Sequence, residues 1–177
     1  MRVLGAWCVS MTVLLGVISV PAVRAESDSA TIHVSATILP RLELSITPET
    51  GSGIAFGAIE QPARGSETTR SVAVNVGVFS NLGHPYHVTQ MVRHPLRNPE
   101  GALIPDEQWT VMTRDAARGA VGMPQPTAVQ SGLPATLYTS NDVGKSDAFL
   151  ADYTLRVTPT TPAGAFDTEI VYTVTSL

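Results

Sequence analysis

The stretch Val72-Ala73-Val74-Asn75-Val76-Gly77-Val78 decides the fold. Four valines recur at every second position, and small or polar residues stand between them. A period of two places alternate side chains on opposite faces of an extended chain. Valine is stiff at χ1 and suits a pleated surface. The segment therefore predicts a strand with one buried face, and the same period recurs on either side of it.

Towards the N-terminus, Leu42, Leu44 and Ile46 alternate with Arg41, Glu43, Ser45 and Thr47. Earlier still, Ile32, Val34, Ala36 and Ile38 alternate with Thr31, His33, Ser35 and Thr37. Pro40 removes a ladder donor between these two runs, so it splits one long strand or places it at a sheet edge. Ile54, Phe56 and Ala58, flanked by glycines, predict a short strand. Towards the C-terminus, Ser80-Asn81-Leu82-Gly83 predicts a turn, with Tyr86–Val92 as the returning strand. Trp109–Met112 and Thr136–Ser140 predict two more. Tyr153, Leu155 and Val157 alternate with Asp152, Thr154 and Arg156, and Phe166, Ile170, Tyr172 and Val174 share a face of the last strand.

Residues 114–135 hold Gly119, Gly122, Pro124, Pro126, Gly132 and Pro134 and few large apolar groups. They predict a long surface excursion with a short strand near Ala128–Gln130. No segment after residue 25 shows ten residues of helical period without a breaker. The expected fold is all-β: an antiparallel, immunoglobulin-like β-sandwich of about eight or nine strands, with a small closed barrel as the alternative.

The first 25 residues have the plan of a secretory signal peptide: Arg2, an apolar run from Val3 to Val20, Pro21, and Val23-Arg24-Ala25 before the cut. An uncleaved anchor is the alternative, but Pro21 and the Val-x-Ala ending suit a peptidase. The expected organisation is a signal peptide over 1–25 and a single domain over 26–177, exported to the periplasm, cell surface or medium. Removing Arg2 and Arg24 takes the formal net charge from −4 to −6. An acidic chain whose only lysine is Lys145 does not suit phosphate backbones or anionic lipid surfaces. Cys8 is the one cysteine and leaves with the leader, so the remainder has no disulfide, thiol nucleophile or thiolate metal site. No second long apolar run follows, so no membrane insertion is expected after cleavage.

Chemical motifs are sparse. His84, His87 and His94 are the candidate metal ligands. Parity opposes them, because residues seven apart on one strand point to opposite faces. Asp106 with Glu107, or Asp142 with Asp147, could pair as acid and base, and Asn141, Asp142, Asp147 and Asp152 could contribute to a calcium site. The acid–base candidates lie in polar turns, and the spacing of the calcium candidates fits no hand-type loop. Trp109 and the tyrosines could form a sugar platform, although core packing accounts for aromatics on apolar faces. No nucleophile elbow, zinc-protease or phosphate-loop pattern is present. The expectation is a protein without enzymatic activity or cofactor.

The segment Ala30–Ile38 carries the more informative possibility. It can pair within its own domain, or leave and complete a neighbour's sheet, with Ile32, Val34, Ala36 and Ile38 filling alternate pockets. The pattern is the same in both cases.

The leader, ATIHVSATI at 30–38, GIAFGAIEQP at 53–62, the valine strand followed by FSNLGHPYHVTQ, and the ending YTLRVTPTTPAGAFDTEIVYTVTSL together resemble bacterial fimbrial and pilin-type secreted subunits. Many such subunits carry a disulfide and a tyrosine one residue from the C-terminus. Here the domain has no cysteine, and Tyr172 lies five residues before Leu177. The resemblance implies a cell-surface structural subunit that associates through strand edges with protein partners, identical subunits included. Residues 30–38 would donate a strand. The acceptor face would comprise Val72, Val74, Val76 and Val78 with Ile170, Tyr172 and Val174. The alternative is a self-complete immunoglobulin-like binding module, periplasmic or secreted, that uses loop 114–135. A small secreted metalloprotein is the third reading.

Overall fold

In the computed structural model, which describes residues 31–177, the valine run forms the centre of a 13-residue strand. The predicted signal peptide lies outside the described residues. Among those residues, the strands in chain order are β1 (Leu42–Pro48), β2 (Thr68–Ser80), β3 (Tyr86–Val92), β4 (Trp109–Arg114), β5 (Ala120–Val121), β6 (Thr127–Ala128), β7 (Pro134–Thr139), β8 (Asp147–Val157) and β9 (Ile170–Ser176). They form two antiparallel sheets, ordered β1-β2-β8-β4-β6 and β5-β7-β3-β9. Residues 38–177 pack as one unit.

Alternation accounts for the core. Val74 and Val76 are fully buried, and Val72 and Val78 nearly so, while Asn75 and Phe79 point outward. From the second sheet, Tyr86, Val88, Gln90 and Val92 face them. Phe149, Ala151, Tyr153, Leu155 and Val157 of β8 complete the first sheet's inner face. The Tyr138 and Phe149 rings stack across the sheets, 5.1 Å apart and 8° from parallel.

The turn after Ser80 makes no hairpin. Both flanks of β2 are occupied, by β1 and β8, so the chain crosses to the other sheet and β3 pairs with β7 and β9. Sheets pack about 10 Å apart, a gap that Asn81–Pro85 spans. Tyr86 N–H donates to Ser140 Oγ at 2.8 Å, which fixes the landing.

Two further expectations are corrected. Residues 54–58 form no strand; Ile54 and Phe56 instead pack against the core as an irregular segment. Gly57, within the segment, has φ +72°, which takes the backbone out of the extended region a ladder needs. Residues 31–40 carry no regular secondary structure, and Ile32, Val34 and Ile38 are 84–90% exposed.

Residues 114–135 are more than a surface excursion. After β4 the chain enters the second sheet as β5, returns to the first as β6, and goes back as β7. Val129 is buried and Met123 packs on the core. Gly119 and Gly122 permit this lacing: a Cβ at either would stand 2.2 Å from Tyr138 Oη or Thr136 O.

Candidate functional site: the β1 and β9 edges

The two lateral sides of the sandwich are unlike. One is laced shut by 114–135. Thr113 N–H donates to Met123 O at 2.6 Å, and Val129 N–H to Trp109 O at 2.9 Å. On the other side lie β1 and β9, terminal strands of their sheets, each with one strand partner. Their inward residues Leu42, Leu44, Ile46, Ile170, Tyr172 and Val174 pack on the core yet remain half-buried.

Comparison with the seven-strand immunoglobulin plan gives this side a meaning. There, strands A-B-E-D form one sheet and C-F-G the other. Here β1, β2, β8 and β4 stand in the order A-B-E-D, and β3 and β9 stand as C and F. In chain order β1, β2, β3, β4, β8 and β9 run A to F, with β5–β7 inserted between D and E. Among the described residues no strand occupies position G, beside β9.

A polar network ties β9 to both sheets. Tyr153 Oη donates to Gln90 Oε1, and Tyr172 Oη lies 2.7 Å from Tyr153 Oη, to which it therefore donates. Burial pushes the Tyr172 hydroxyl up to about 12, against the opposing effect of its hydrogen bond with Tyr153. Burial, with Tyr172 adjacent, raises Tyr153 well above the ordinary tyrosine value.

Of the predicted acceptor face, Val72, Val74, Val76 and Val78 are already buried, the last three within the core cluster. Ile170, Tyr172 and Val174 line the open side. Leu42, Leu44 and Ile46 form their facing row; the alternation of these residues marks a strand but not which edge it forms. Asn81 carries no local signal either; its side chain accepts Arg41 N–H and donates to Leu39 O at 3.0 Å.

The other candidates are dispersed or engaged. His87 lies on β3, His84 before it and His94 after it. A strand rises about 3.3 Å per residue, so the run from His87 to the end of β3 at Val92 alone spans roughly 17 Å. His94 Nδ1 lies 3.0 Å from Pro95 O. No group of three or more metal-ligating side chains occurs among the described residues. Asp106 accepts from Ser131 N and Oγ, both at 2.8 Å. Asp147 accepts from Tyr138 Oη and from Arg118 and Gly119 N–H. Burial alone would raise the Asp147 carboxyl; these bonds outweigh it and hold the group below the ordinary value. Asn141 accepts from Lys145 N–H, and Asp152 pairs with Arg114. Asp106 and Asp147 are thus tethers of the 114–135 segment. Trp109 and Tyr86, Tyr138 and Tyr153 are buried in the core, where no sugar can stack on them.

A cavity of about 180 Å³ lies beneath the lacing, lined by Gln90, Val111, Met123, Val129 and Leu133 among others. Small-molecule sites usually occupy about 300–1,000 Å³, so it is undersized for one. No protein-family model matches this chain, and no curated protein matches it in sequence.

Proposed function

We propose that this protein is an exported, non-enzymatic, fimbria-like structural subunit that associates by strand exchange. In this reading residues 30–38 of one copy pair with β9 of another. Ile32, Val34, Ala36 and Ile38 enter the row between Leu42, Leu44 and Ile46 on one side and Ile170, Tyr172 and Val174 on the other. Backbone hydrogen bonds along β9 supply much of the affinity and the alternate side chains supply register.

One observation carries the reading: among the described residues position G beside β9 is without a strand, and half-buried apolar residues border it on both sheets. An edge strand with an incompletely covered apolar face is a pairing surface that self-contained proteins usually blunt. The alternating segment 31–38, exposed in this structure, has the matching chemistry. Burying Ile32, Val34 and Ile38 would contribute about 1.5–3 kcal/mol each before association costs. The alternative, recognition through 114–135, is less favoured because that segment is built into both sheets.

The test is the molar mass of the exported chain, by size-exclusion chromatography with light scattering across a dilution series. The expected result is a ladder of multimers that Ile32→Asp abolishes without lowering soluble yield or melting temperature. A wild-type monomer at every concentration overturns the reading. So does an Ile32→Asp protein that fails to fold, since a buried unpaired charge is costly only if residue 32 packs in its own domain.

A further inference from the structure

Resting on the strand-donor reading, the geometry around Pro40 assigns a role to Asn81. We propose that Asn81 is a hinge clamp that holds residues 39–41 in line with β1, and so directs segment 31–38 to a second copy of this chain rather than back onto its own β9.

The ladder between β1 and β2 ends at the pair Leu42–Ser80. Two residues beyond, Pro40 has no N–H with which to continue it. The adjacent Asn81 extends the pattern instead. Its backbone N–H donates to Arg41 O at 3.2 Å. Its side-chain Oδ1 accepts Arg41 N–H at 2.5 Å. Its Nδ2 donates to Leu39 O at 3.0 Å. One side-chain amide thus bonds the backbone on both sides of the proline, as the peptide of a neighbouring strand would.

The consequence follows from strand direction. β1 begins, and β9 ends, at the end of the sandwich where β2 turns into β3, because Leu42 pairs with Ser80 and Ser176 with Tyr86. For segment 31–38 to reach its own position G, the chain must reverse at residues 39–41 and run parallel to β9. That reversal breaks the Asn81 bonds to Leu39 and Arg41. With the bonds intact, residues 39–41 stay extended, and the acceptor has to be another molecule. Asn81 acts here as a positioning residue: it touches the root of the donor, not the acceptor row.

The experiment compares the exported chain with Asn81→Ala, which loses both side-chain bonds, and Asn81→Asp, which keeps the acceptor for Arg41 N–H and loses the donor to Leu39 O. Two readouts are taken besides melting temperature: the concentration midpoint of multimer dissociation, and the rate of thermolysin cleavage ahead of Ile32, Val34 and Ile38 in the monomer, located by mass spectrometry. Asn81→Ala should raise the midpoint about tenfold and slow cleavage severalfold, as the segment closes on its own β9. Asn81→Asp should lie between it and wild type. An unchanged midpoint and unchanged cleavage in Asn81→Ala overturn the clamp. A lower melting temperature with both readouts unchanged also overturns it, since the residue would then be only a turn cap. Deletion of 31–38 separates the two ideas. If the deleted chain still forms the wild-type multimers, strand donation fails. The cleavage comparison then decides the clamp alone, equal rates refuting it.

Discussion

Replacing Tyr153 by Phe removes one oxygen from the centre of the sandwich and tests whether the network at the open side holds β9 in place. Tyr153 is fully buried on β8, and its hydroxyl joins Gln90 of β3 to Tyr172 of β9. The ring stays, so no sizeable cavity forms and packing is nearly unchanged. Two hydrogen bonds are lost at about 1 kcal/mol each, and Gln90 Oε1, on a residue only 3% exposed, is left without its partner. A buried unsatisfied acceptor adds about 1–3 kcal/mol, so the total is roughly 3–5 kcal/mol. With a urea m-value near 2 kcal/mol/M, the unfolding midpoint should fall by about 1.5–2.5 M with m unchanged. Tyr172→Phe should cost only about 1 kcal/mol, because Tyr172 is half-buried and removes a single bond while Gln90 stays satisfied. The assay is urea denaturation of both single variants and the double variant, with the coupling energy taken from the cycle. A Tyr153→Phe cost below about 0.5 kcal/mol, or equal costs for the two single variants, would refute the reasoning.

Three other outcomes are expected. Tyrosines with raised folded-state values stabilise the fold fully below the unfolded value of about 10. Stability should therefore drop as pH rises from there through about 12, the folded value of Tyr172, and an alkaline melting series should show a shallower drop in Tyr172→Phe. Asp147 has the opposite sign: its folded value is lowered, so its contribution is present above about pH 4 and disappears as pH falls through the folded value. Asp147→Asn should cost roughly 1 kcal/mol at pH 7, discounted for its partial exposure, and flatten the acid limb of a pH–melting curve. Gly119→Ala, whose Cβ would stand 2.2 Å from Tyr138 Oη and 2.4 Å from Thr139 O, should destabilise by about 1–3 kcal/mol in urea, and native stability would dismiss the close packing of β5 on β7.

The candidate site was partly legible before folding. The residues that line the open side, Ile170, Tyr172 and Val174, share one parity, and the alternation at Ile32, Val34, Ala36 and Ile38 stands plainly in the chain. Two facts were not visible locally. The valines Val72–Val78 look identical in pattern to an open acceptor row, yet they are buried in the assembled sandwich; whether a face is covered depends on segments distant in sequence. Asn81 looks like any turn asparagine, and its bonds to Leu39 and Arg41 join positions about forty residues apart.

The period of two by itself determined that this chain is built of strands, which residues of β1, β2, β8 and β9 face inward, and that proline and glycine interrupt them. Those are local properties, set by the pleat and by backbone sterics within a few residues. Only the tertiary structure decided that the chain arches between sheets after Ser80, that residues 54–58 pack without pairing, that 114–135 laces one side shut, and that β1 and β9 border a side where, among the described residues, no G strand lies. Strand partners are chosen by which edges remain free once the whole core is assembled, and a local period does not encode that choice.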